Sequence, residues 1–191
     1  AARRLKKGDC LIVCGDFGFL WDGGKREAAT LKKIARLPYT VLFLDGRHEN
    51  YDLLGEYPAV EWNGGKVQVI EEGLMHLMRG EIYTIEHETY FAFGGGESPD
   101  PGLRSDAKTW WEEETPTAGE MLAARRRLEE AGNKVDYILT HEPSGKARGY
   151  MSGRGEALNG VNVFLNTLED TVEYRRWFFG CLHLDKPMSK R

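Results

Sequence analysis

Long apolar runs are missing from this chain of 191 residues. The longest, such as residues 39–44, are strand-sized, whereas a bilayer span needs about 20 apolar residues in a row. With a mean hydropathy of −0.51, no membrane span is expected. Nor is a secretory signal: Ala1-Ala2-Arg3-Arg4-Leu5-Lys6-Lys7 is charged and no apolar stretch follows it. Cysteine is scarce, with Cys10, Cys14 and Cys181 only. On a strand, Cys10 and Cys14 stand about 13 Å apart, and a disulfide needs about 4.4–6.8 Å between Cα atoms. They cannot pair, and an odd count suggests a reducing compartment, so a cytoplasmic location is expected. Positive charge is not in excess either. There are 26 Lys and Arg against 30 Asp and Glu, a net charge of −4. General nucleic-acid binding, which needs many phosphate-neutralising cations, is therefore not expected. The run Arg125-Arg126-Arg127 reads as the solvated face of a glutamate-rich helix. Repeats, low-complexity segments and linkers are absent, and the length suits one domain.

What is present is an α/β pattern, with short apolar runs alternating with helical stretches. Residues 10–14 read as a buried strand. Residues 25–36 read as a helix with Ala28, Leu31, Ile34 and Ala35 on one face. Pro38 helps end it, and residues 39–44 form the next strand. Residues 66–70, 81–86 and 89–93 predict a meander with His87-Glu88 at a tight turn. A long loop runs from Gly94-Gly95-Gly96 to Pro116, of a length that is functional or mobile when structureless. Residues 117–131 predict a helix capped by Thr117 and stopped by Gly132. Strand 137–140, a Gly-rich loop 141–160, helix 161–168 and strand 176–179 complete the pattern.

Four of these strands end alike. Residues 11–14 run into Gly15-Asp16, and 41–44 into Asp45-Gly46-Arg47-His48-Glu49. Residues 137–140 run into His141-Glu142, and 177–179 into Gly180-Cys181-Leu182-His183. A single Gly-Asp after a strand is an ordinary turn, and a single histidine there is an ordinary loop residue. Four such endings are harder to assign to turn chemistry. In open α/β sheets ligands bind beyond the carboxyl ends of the strands, so parallel neighbours would gather Asp16, His48, His141 and His183 at one edge. Carboxylate and imidazoles together make a candidate metal site.

These residues resemble the motifs of the calcineurin-like metallophosphoesterases. The resemblance rests on Gly15-Asp16-Phe17-Gly18, His48-Glu49 after Gly46, Thr140-His141-Glu142-Pro143 and Gly180-Cys181-Leu182-His183, in that order. Trp110-Trp111-Glu112-Glu113-Glu114 is similar to a segment of bacterial members. The resemblance implies a four-layer α-β-β-α sandwich of mixed sheets, with first and final strands missing here. It implies a phosphoester hydrolase with two divalent metal ions (Mn, Fe or Zn). Asp16 would bridge them, His183 would ligate the first and His141 the second. A bridging hydroxide would attack phosphorus. His48 would face the leaving-group oxygen as a catalytic donor, with Glu49 to orient or stabilise it. The substrate would be a phosphorylated small molecule, a nucleotide or another phosphoester.

Three departures accompany the resemblance. No Asp-x-His motif precedes Asp16, which would have supplied two ligands; the chain is expected to be missing its first strand. Arg47 stands where the family has a metal-binding asparagine. Guanidinium has no acceptor and cannot ligate, and near a divalent ion it is repelled by several kcal/mol at an effective dielectric of about 20. It either stands in for the second ion and grips a phosphate, as a substrate-binding group, or swings out to solvent. Cys181 replaces the first histidine of Gly-His-x-His. It is either a zinc-favouring ligand or a buried inert thiol. Metal occupancy is therefore expected to be reduced, and a catalytically degenerate phosphate-binding or interaction module is the alternative. His76 and His87 read as structural. Trp110 and Trp111 either rim the site or pin the long loop.

Overall fold

The computed structural model describes residues 4–99, 101–106, 109–152 and 158–185. Strands β1 (Cys10–Cys14) and β2 (Thr40–Leu44) pair in parallel, and β2 pairs in parallel with β5 (Leu74–Leu77). Antiparallel β4 (Gly65–Glu71) and β3 (Ala59–Trp62) extend this sheet to the order β1-β2-β5-β4-β3. A second sheet has the order β6-β7-β8-β9. Its β6 (Glu81–Ile85) and β7 (Glu88–Phe93) form a hairpin, while β8 (Tyr137–Thr140) and β9 (Arg176–Phe179) run parallel to β7.

Period-2 alternation puts each strand into two cores. On β2, Leu42 and Leu44 face Tyr83, Ala92 and Leu139 of the other sheet. Val41 and Phe43 point the other way, against Leu31 of α1 (Lys25–Ala35) and Leu54 of α2 (Tyr51–Gly55). On the second sheet Phe91, Phe93 and Ile138 face outward. They pack on Ala124 and Leu128 of α4 (Ala118–Glu130) and on Leu165 and Leu168 of α6 (Gly160–Thr171). Three apolar layers between four polypeptide layers make the expected α-β-β-α sandwich. Thr117 caps α4 in a reciprocal capping box with Glu120, and Gly132 follows the helix at φ 71°.

Several expectations are corrected. The middle is no simple meander: β3, β4 and β5 belong to the first sheet and β6 and β7 to the second. The chain crosses over through Met78–Gly80, where the Met78 N–H donates to the Tyr83 hydroxyl. The hairpin turn lies one residue earlier than expected, on Glu86 and His87, both at positive φ as a two-residue hairpin turn requires. The 94–116 segment carries α3 (Pro101–Asp106) and a 3₁₀ turn at Glu112–Glu114. The 141–160 segment carries α5 (Gly145–Ser152). The polar strand ends come from two packed sheets and not from one open edge. Among the described residues no helix is long and apolar enough to cross a membrane.

Two side chains test the outer core and its cap. Leu128→Ala, at a fully buried position, lowers the free energy of unfolding by about 2–5 kcal/mol. Thr117→Ala lowers it by about 1 kcal/mol. Urea titrations followed by circular dichroism measure both.

Candidate active site

Strands β1 and β2 of one sheet and β8 and β9 of the other end against each other. The approach is so close that a Cβ on Gly15 would collide with the His141 ring, and one on Gly180 with the Cys14 carbonyl. Gly15 also sits at φ 90°, open to glycine alone at little cost. Asp16 follows at φ 53°, an uncommon conformation for a residue with a side chain and one that clusters at functional positions. There its Oδ1 accepts the backbone N–H groups of Arg47 (2.8 Å) and His48 (3.0 Å). A Cβ on Gly46 would fall on Asp16 itself, so glycine permits this approach.

His141 arrives from β8 and is fully buried. The backbone N–H groups of Gly180 and Cys181 both donate to its carbonyl. Its Nδ1 lies 3.0 Å from the Cys14 carbonyl oxygen. A carbonyl can only accept, so Nδ1 carries the proton, and in the neutral ring Nε2 presents its lone pair. Nε2 has no hydrogen-bond partner and lies 3.6 Å from Asp16 Oδ1. Two acceptors facing each other across that gap repel unless a cation or proton lies between them. A shared cation or a shared proton would relieve that repulsion. Among the described residues no group of three or more His, Cys, Asp and Glu could hold a metal ion, so a full ligand set for even one ion is not assembled there.

The other expected residues are distributed around this pair. His48 is exposed beside it, tied to Asp16 through its backbone N–H. Glu49 is buried, and its Oε1 accepts the Phe17 N–H at 2.8 Å, holding the turn after Asp16. Arg47 does not swing out. Its side chain is 21% exposed and its Nε stands 3.9 Å from Glu142 Oε1. The Cys181 thiol points at Glu142 Oε2, 3.9 Å away, and burial followed by the Glu142 charge pushes it up to about 12. His183 lies exposed at φ 50°, with its N–H on the Gly180 carbonyl, and joins no ligand group with Asp16 and His141. The three cysteines are free.

Residues that the sequence pattern did not single out support the site. Glu142 is buried and accepts from Arg148 Nη2 (2.5 Å) and Asn162 Nδ2 (3.2 Å). Arg104 pairs with buried Glu114 at 3.1 Å and donates to the Arg47 carbonyl at 2.8 Å. Asp45 accepts from Arg79 Nε at 2.7 Å and Tyr51 at 3.1 Å, with His76 Nε2 at 3.1 Å. Burial pushes the Asp45 carboxyl up, but Arg79 and His76 outweigh this and hold it well below the usual carboxylate range. His76 is thus structural, as expected. Trp111 pins the long segment, donating to Asp52 at 2.9 Å and meeting Trp21 edge-on. The only sequence signal for Glu142 was its place next to His141.

The family model for calcineurin-like phosphoesterases matches residues 1–181. The chain belongs to this family. Its members are phosphoester hydrolases and generally use divalent metal ions. No curated protein and no solved structure matches the chain.

Glu49 gives the site a pH signature. Burial first, and then the nearby Asp45 and Asp16 charges, raise its carboxyl from 4.5 to about 8 against the Phe17 N–H. The folded state thus keeps a proton that the unfolded chain releases. This contribution is fully present below about pH 4.5 and lost as pH rises towards 8. Glu49→Gln keeps an acceptor for Phe17 and removes the titration. Between pH 5 and pH 9 the parent should lose more than about 1 kcal/mol relative to the variant, measured by urea unfolding at both pH values.

Proposed function

We propose that the chain hydrolyses phosphoesters where the ends of β1, β2 and β8 meet, with one divalent cation held by Asp16 and His141. The observation that supports this is the unpartnered Nε2 of buried His141 facing Asp16 at 3.6 Å, in a chain of phosphoesterase family. When bound, such an ion neutralises charge on phosphoryl oxygens and activates water. The protein groups have their own work. The Arg47 and His48 N–H groups fix one Asp16 oxygen, and the Cys14 carbonyl fixes the tautomer of His141. Exposed His48 is free to donate to the leaving-group oxygen. Glu49 supports it indirectly, through the Phe17 turn next to Asp16. A two-ion form would draw further ligands from Cys181 and His183 on the loop after β9. Substrates would be phosphorylated small molecules, nucleotides or other phosphoesters.

One observation favours a second reading. Arg47 turns in beside Glu142, and its backbone N–H is on Asp16, where its fixed charge opposes a second ion. A member that binds phosphate without turnover would look like this.

Both readings meet in one assay. Metal content of the purified chain is measured, and an aryl phosphate and a phosphodiester are offered with zinc, manganese or iron. Hydrolysis is expected, with Asp16→Asn and His141→Ala each losing at least the roughly 10–100-fold that loss of a supporting partner costs. Turnover that appears only after Arg47→Asn with Cys181→His establishes the binding-module reading. No bound metal and no turnover in either form rejects the hydrolase.

A further inference from the structure

Arg47 is a cation beside Asp16 whose side-chain donors are not taken up by the described residues. Among the described residues its guanidinium makes no hydrogen bond: its ion pair with Glu142 Oε1, at 3.9 Å, is too long for one, and Nε is buried without a partner. A guanidinium has five N–H donors and no acceptor; of these the Nε donor is the one buried without a partner here, and leaving a buried donor unpaired is costly. Yet the side chain stays in. The reason is Glu142, 1% exposed. Its Oε2 is held by Arg148 of α5 and Asn162 of α6, which leaves Oε1 without a hydrogen bond and aimed at Arg47. Charge draws Arg47 inward without using up its donors. Gly96 packs against the pair: a Cβ there would come within 2.9 Å of Arg47 Cγ and 2.8 Å of Glu142 Oε1.

We propose that Arg47 is a metal-independent binding group for a phosphoryl oxyanion, and that Glu142, fixed by Arg148 and Asn162, is the residue that positions it. The planar fork of a guanidinium matches two oxygens of a tetrahedral oxyanion. Asp16 Oδ1 already takes the Arg47 backbone N–H at 2.8 Å, so the same residue fixes the carboxylate and presents its side chain beside it. That the anion is a phosphate rests on the phosphoester reading above. The unused donors do not. Phosphate recognition then survives removal of every divalent ion.

The test titrates the whole chain with inorganic phosphate in excess EDTA, by calorimetry and ³¹P NMR. Saturable binding is expected, weakened at least about 10-fold by Arg47→Ala, as loss of a charge-assisted hydrogen bond implies. Arg47→Lys, which keeps charge without the fork, recovers part of it. Glu142→Gln still accepts from Arg148 and Asn162 but no longer attracts Arg47, and weakens binding by a smaller factor. Arg126→Ala, exposed on α4, binds like the parent. Unchanged circular dichroism and melting midpoints establish that the variants fold. Binding that needs added zinc or manganese, or Arg47→Ala binding like the parent, overturns the proposal. Glu142→Gln matching the parent overturns its positioning half. Metal-dependent turnover without phosphate binding in EDTA sinks this inference and leaves the hydrolase. Metal-free binding through Arg47 without turnover under any metal does the reverse.

Discussion

The two face-packed sheets bring the ends of their strands together at backbone distance, and the site follows from that contact. Between the Gly180 position and the Cys14 carbonyl there is no room for a side-chain carbon, nor between Gly15 and the His141 ring. Because the strands come this close, a carbonyl at the end of β1 can reach the imidazole at the end of β8 and decide which nitrogen carries its proton. The other nitrogen is then turned on Asp16, itself held in a left-handed conformation by two backbone donors from the loop after β2. Loosening any of these approaches would separate a carboxylate and an imidazole whose chemistry depends on their proximity.

Ion pairs with buried members surround this contact, between the strand-end loops and the short helices beside them. Arg79 joins Asp45 at the end of β2 to the Glu113 carbonyl and to Glu120 at the start of α4. Arg104 joins Glu114 to the Arg47 carbonyl. Arg148 joins α5 to Glu142. Desolvating such charges makes each pair of little net stabilising value, but a broken pair leaves a lone buried charge, which is far worse. Arg104–Glu114, Arg79 on the Glu113 carbonyl and Trp111 on Asp52 and Trp21 fasten the described part of the 94–116 segment over the strand ends. Arg47 is paired more loosely, at 3.9 Å from Glu142 Oε1.

Much of the fold was legible. Cys10–Cys14, Tyr137–Thr140 and Arg176–Phe179 lie where apolar runs bounded by turn residues placed them, and α4 has the cap that Thr117 announced. Strand β5 escaped notice because a four-residue apolar segment containing His76 has no readable period. Helix α2 is only five residues long, and α5 lies in a stretch whose glycines read as loop. The division of the middle strands between two sheets was invisible for another reason. Antiparallel neighbours in one sheet and strands that change sheets carry the same alternation.

The sequence by itself determined the α/β class, the family and the gathering of polar residues at strand ends, because strand alternation and motif order are local properties that survive without coordinates. Only the tertiary structure decided which of those residues meet. Asp16 and His141 face each other, Arg47 turns inward towards Glu142, and His183 stays on the surface. Such pairings depend on the direction of side chains from two different sheets, and on buried partners such as Glu142, Arg148 and Asn162 that are distant in the chain. A carboxylate next to a histidine reads the same whether it holds water, a metal or an arginine until the packing around it is known.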